Sequence, residues 1–186
     1  MSKSIPAFKT GQPIGDGIGP MVVGKIMLDC EKETIAFETI LAKTDFDGRK
    51  LFLIKAEGPG STVGRPAEAL ETIVSNSKID AVIMVDAALK MEGEESASVA
   101  CGFGAAIGGI GTERFQIEEI ATQKNIPIFS IVVKQSVKEA ITLMTKPIAD
   151  KSDDVTSQIY EMIQENTKAG QSIVVIGVGN TSGVPQ

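Results

Sequence analysis

Three apolar runs, Ile79 to Val85, Ile126 to Val133 and Ile173 to Ile176, are rich in β-branched residues and lack regular polar alternation. A strand covered by helices on both faces reads this way, whereas a strand with one wet face alternates. The three runs are therefore expected to be central parallel strands. Helical spacing lies between them: Ala69, Leu70, Ile73 and Val74 follow Pro66, and Ile117, Ile120 and Ala121 follow Thr112. Strand and helix alternate, which makes the class α/β.

Pro20 suits a first helical position, so a first helix is expected from there, burying Val22, Val23, Ile26, Met27 and Cys30 and turning Lys25 and Asp29 to water. Strands around Ile35 to Leu41 and Leu51 to Ile54 flank Asp45-Phe46-Asp47-Gly48, whose Asp-Gly pair predicts a hairpin and a mixed sheet edge. A last helix carries Val155, Ile159, Met162 and Ile163, with Ser152 as N-cap and Gly170 as stop. No repeat or linker divides the chain, so residues 1–186 are expected to form one α/β domain.

Composition narrows the chemistry. Among 186 residues there is no histidine, which removes Ser-His and Cys-His nucleophiles and ordinary histidine metal sites. A net charge of -6 argues against nucleic acid as a partner. Cys30 and Cys101 match neither a disulfide framework nor a paired motif, and both are expected to be small buried side chains in a reducing, cytoplasmic setting. No apolar run approaches the length of a membrane span. Chemistry must then run on carboxylates, lysines, hydroxyls, backbone amides or a borrowed metal.

Glycine gathers in four loops: Gly15 to Pro20, Glu57 to Gly60, Gly102 to Gly111, and Gly177 to Asn180. Loops at strand ends are where open α/β sheets place their sites. Free N–H groups near Gly17 and Gly19, at a helix start, suit an anion, with tight turns as the plainer explanation. No loop continues as a P-loop does. Asp86 ends a buried apolar run, where a bare charge is costly, so something should compensate it. Asp16 lies in the glycine turn, as a helix cap or as a second acid. If the two meet, they either divide acid and base roles or share Mg²⁺ or Mn²⁺.

In order along the chain, Gly15-Asp16-Gly17-Ile18-Gly19-Pro20, the stretch from Gly58-Pro59-Gly60 to Asp86-Ala87-Ala88-Leu89, and Gly108-Gly109-Ile110-Gly111 with Arg114 and Ile126 to Phe129 resemble segments of the spore-germination endopeptidases and hydrogenase-maturation proteases. Gly177-Val178-Gly179-Asn180 resembles a strand-end motif those proteases carry ahead of the aspartate turn. Its position here implies a circular permutation, or a strand exchanged within a homodimer. The resemblance implies a three-layer phosphorylase/hydrolase-like fold, a mixed, mostly parallel sheet with helices on both faces, and Asp16 and Asp86 at the two functional aspartates. The maturation proteases' histidine metal ligand has no counterpart. The chain is also similar to an archaeal family of unknown function whose longer members carry a membrane-spanning N-terminal part, which implies a membrane-anchored parent.

Two functions follow. In a peptidase-like hydrolase Asp86 is the base that activates water, Asp16 is the acid or a metal co-ligand, and amides near Gly179 and Asn180 stabilise an oxyanion. Gly17, Gly19, Gly58, Gly60, Gly179 and Asn180 would bind the peptide or a small anionic ligand. Alternatively, the same cleft is a non-catalytic ligand- or metal-binding module. Arg65, Arg114 and Lys134 could neutralise the acids, but solvated surface charge is the expectation for each. A third resemblance of the glycine turn, to β-decarboxylating dehydrogenases, lacks their arginine clusters.

Overall fold

The three apolar runs form neighbouring strands in the middle of a seven-stranded sheet, in a computed structural model that describes residues 11–104 and 112–186. The strands are β1 (Lys32–Ala36), β2 (Thr39–Phe46), β3 (Arg49–Ala56), β4 (Ala81–Leu89), β5 (Val99–Phe103), β6 (Ile128–Gln135) and β7 (Ser172–Gly177). Their order is β1-β2-β3-β7-β4-β6-β5. The pairs β3/β7, β7/β4 and β4/β6 are parallel, and β2 and β5 run against their neighbours. A 3-10 turn, Gly15–Gly17, leads into α1 (Ile18–Ile26); α2 is Pro66–Asn76, α3 Thr112–Gln123, α4 Val137–Ala140 and α5 Lys146–Asn166.

Side-chain alternation splits the core into two layers. Leu51, Leu53, Ile83, Val85, Ile131, Val133, Ile173 and Val175 pack against Ile18, Val22 and Val23 of α1 and Val155, Ile159 and Ile163 of α5. Phe52, Ile54, Val82, Met84, Val174 and Ile176 pack against Leu70 and Ile73 of α2 and Ile117 and Ala121 of α3. The result is a three-layer α/β fold with a mixed, mostly parallel sheet. No helix among the described residues is long and apolar enough to cross a membrane.

Several boundaries differ from expectation. The first helix begins at Ile18 because the 3-10 turn continues into it, and it ends before Cys30. The last helix starts at Lys146 with Thr145 as N-cap and Pro147 in the first turn. Ser152 is therefore an interior helical residue, not a cap, and accepts a 2.6 Å hydrogen bond from Lys25 Nζ where α1 meets α5. The stretch expected as one strand over Ile35 to Leu41 reverses at Glu38, whose φ of 47° is left-handed without a glycine to announce it. The edge strand β5 was not expected either. Both cysteines depart from the buried expectation, Cys30 being half-buried and Cys101 exposed.

The most deeply buried charge was not anticipated in the core. Lys55, fully buried on β3, donates to the Ala56 carbonyl at 3.0 Å, and burial together with the Lys32 charge lowers its pKa to about 8.

Candidate functional site

The pairing of β7 with β4 ends at Gly177 opposite Val85, one residue before Asp86. Asp86 thus stands at a corner where β7 has stopped while β6 continues beside it, with Val132 opposite. Alternation turns Asp86 to the α2/α3 side of the sheet, opposite to its neighbour Val85. There Arg114, on the first turn of α3, donates through Nε to Asp86 Oδ2 and through Nη2 to the Ala87 carbonyl. The Ala87 N–H donates to Asp86 Oδ1 at 2.6 Å. Asp86 is 2% exposed.

The Asp16 turn is brought to the same sheet edge by α1. A Cβ on Gly19 would lie 2.4 Å from the carbonyl oxygens of both Val85 and Val178, so only glycine lets the helix start sit on the ends of β4 and β7. After β7 the chain passes under this turn at Gly179, where φ is 139° and a Cβ would be 2.1 Å from the Asp16 carbonyl oxygen. The next N–H, of Asn180, donates to Asp16 Oδ2 at 2.9 Å. The final strand and the loop behind it therefore fix one acid while bordering the other.

The electrostatics follow from this packing. Burial pushes the Asp86 carboxyl up to about 7. The hydrogen bond and charge of Arg114 oppose that rise, the Asp16 charge adds to it, and the Ala87 N–H weakly opposes it. A carboxyl that exchanges its proton near neutrality, within reach of a second carboxylate's charge, is suited to general acid–base chemistry.

The donor set does not suit a resident dication. Both Asp86 oxygens already accept hydrogen bonds, one from a guanidinium whose charge would repel Mg²⁺ or Mn²⁺. Among the described residues no group of three or more cysteine, aspartate or glutamate side chains gathers to hold a metal.

A family model described as "Domain of unknown function (DUF1512) C-terminal" matches residues 14–185. The chain belongs to this family. No curated protein matches it. The matched span of the DUF1512 C-terminal domain includes Asp16, Asp86, Arg114 and the Gly177 to Asn180 turn, so the whole corner lies within it.

In this DUF1512 domain most of the expected ligand-binding donors are used internally. The Gly17 N–H donates to the Ile14 carbonyl at 2.9 Å and the Asn180 N–H to Asp16, so neither is free for an anion or oxyanion. Gly19 and Gly179 serve close packing instead. Gly58 packs against the Val184 carbonyl, and the Gly60 carbonyl accepts from the Thr181 hydroxyl at 2.7 Å. The Asn180 side chain bonds the Ser61 hydroxyl and the Ser182 N–H. These residues lock the tail to the β3–α2 loop.

Arg114 is the clearest correction, since it is the part-buried counter-charge of Asp86 and not a solvated residue. Lys134 pairs with Glu94 and Arg65 is exposed at the start of α2. The Gly108 to Gly111 motif lies outside the described residues. Gln135, at the end of β6, was missed: it is fully buried and neither side-chain amide atom has a partner among the described residues. At the end of an apolar run it reads as a solvated strand terminus, so no sequence signal marks it.

Proposed function

We propose that the protein is a peptidase-like hydrolase whose chemistry runs on Asp86 and Asp16, and that it is a circularly permuted relative of the spore-germination endopeptidases and hydrogenase-maturation proteases. The observation that carries this reading is a buried carboxyl held near pH 7 at a strand end, with the charge of a second carboxylate acting on it. The permutation is supported by β7, which follows every other strand in sequence yet occupies the middle of the sheet beside Asp86.

In the reaction Asp86, when ionised, takes a proton from the attacking water and returns it to the departing amine. Asp16, held by the Asn180 N–H, is the second carboxylate, whose charge favours the proton on Asp86. Arg114 keeps Asp86 oriented and limits how far burial raises its pKa. A cytoplasmic setting belongs to the same proposal.

A second reading, a non-catalytic binding module, is favoured by the burial of Asp86 and by its engagement with Arg114. A cleavage assay on a mixed peptide library separates the two. The hydrolase requires turnover by the wild type and a loss of at least about a hundredfold in both Asp86→Asn and Asp16→Asn. Equal activity in the variants, or a wild type that binds peptides and cleaves none, overturns it, the latter in favour of the module.

A further inference from the structure

Gln135 closes β6 opposite Leu89, at the same end of the sheet as Asp86 but, by alternation with Ile131 and Val133, on the α1/α5 face, where the Asp16 turn enters α1. Its backbone carbonyl accepts from the Lys90 N–H at 2.9 Å, but its side chain, 0% exposed, has among the described residues neither an acceptor for Nε2 nor a donor for Oε1. Buried carboxamides are nearly always satisfied, so an orphan of this kind needs an explanation. The side chain is aimed at the turn that carries Asp16: a Cβ on Gly15 would lie 2.4 Å from Gln135 Oε1 and 2.3 Å from the Glu139 carbonyl oxygen.

The cover over this amide is thin. Residues 136–146 include none that is buried, although they cross a corner otherwise made of core strands. They are tied down by polar contacts. Ser136 and Glu139 form a capping box on the four-residue α4, the Gly15 N–H donates to the Thr142 carbonyl at 3.2 Å, and the Met144 N–H donates to the Pro13 carbonyl at 2.8 Å. Val137 and Ile141 point their apolar side chains to solvent. Segments with few buried contacts are those that open locally at low cost.

We propose that the Gln135 carboxamide is a peptide-binding contact on the Asp16 side of the carboxylate corner, offering one donor and one acceptor to a ligand's backbone amide when the 136–145 segment lifts. A carboxamide and a peptide group are complementary in donor and acceptor, so two antiparallel hydrogen bonds satisfy both. The unmet amide destabilises the closed cover, and a bound peptide removes that penalty. The inference rests on the carboxylate corner being a peptide site, but not on turnover there.

The test uses the full chain, the variants Gln135→Leu and Gln135→Met, and N-acetylated, C-amidated tetrapeptides as the probe. Binding is followed by NMR on the side-chain amide resonances and the backbone of residues 136–145. The wild type should bind, with the Gln135 amide signals moving. Both variants should bind at least tenfold more weakly and unfold at a higher temperature than the wild type. Unchanged peptide affinity in a folded variant overturns the inference, as does absence of capped-peptide binding by the wild type. A lower unfolding temperature in both variants also overturns it, because it marks a structural amide satisfied by trapped water. Turnover is read separately: a wild type that binds without cleaving removes the hydrolase alone, and cleavage by Gln135→Leu at unchanged KM removes only the role given to Gln135.

Discussion

Gly19→Ala should destabilise the protein by about 3 kcal/mol or more, the upper end of what overpacking costs, because the clash is with backbone on two strands at once. The added methyl would meet the Val85 and Val178 carbonyl oxygens at 2.4 Å, and neither can move without breaking the end of the parallel ladder. The helix start, with Asp16 on the turn before it, would have to lift from the corner. Gly60→Ala is the matched control, since a Cβ there meets nothing within 4 Å, and should change stability by no more than about 0.5 kcal/mol. Urea unfolding of the two variants measures the difference. Equal stability would mean that α1 does not rest on the ends of β4 and β7.

Asp86→Asn should raise stability relative to the wild type, and the gain should grow with pH. The folded-state pKa of Asp86 is raised from 3.8 to about 7, so the fold favours the protonated acid. Its contribution is therefore complete below pH 3.8 and is lost as pH rises through about 7. That gap corresponds to about 4 kcal/mol across the window. Asparagine does not titrate, so the variant's advantage should be small near pH 4 and approach that size near pH 8. Unfolding free energies at several pH values check it. A flat difference, or one that grows toward acid, would show that Arg114 outweighs burial and holds Asp86 ionised throughout. A stabilised variant that loses turnover is the trade-off expected when a buried acid is kept for chemistry.

The middle of the sheet was legible in the sequence because β4, β6 and β7 are covered on both faces, which leaves unbroken apolar runs. Its margins were not. β5 is a short edge strand containing Gly102, with little apolar pattern to betray it, and the β1/β2 reversal rests on Glu38 in a left-handed conformation. Asp86 announced itself as a charge at the end of an apolar run. Its partner was only one of three candidate cations, each expected to be solvated: Arg114 lies on a helix that reads as amphipathic surface, and only the sheet's alternation brings the two onto one face. The glycine loops were visible as loops, yet their role was misread. Glycine permits both close backbone packing and ligand approach, and Gly17, Gly19 and Gly179 are used for local turns and close contacts.

That Asp16 and Asp86 act as one electrostatic site is tested most directly by NMR titration of the Asp86 carboxyl carbon in the wild type and in Asp16→Asn. The wild type should titrate near 7, and removing the Asp16 charge should lower the midpoint, because that charge now helps to hold the proton on Asp86. An Asp86 midpoint unmoved by the substitution would contradict the account.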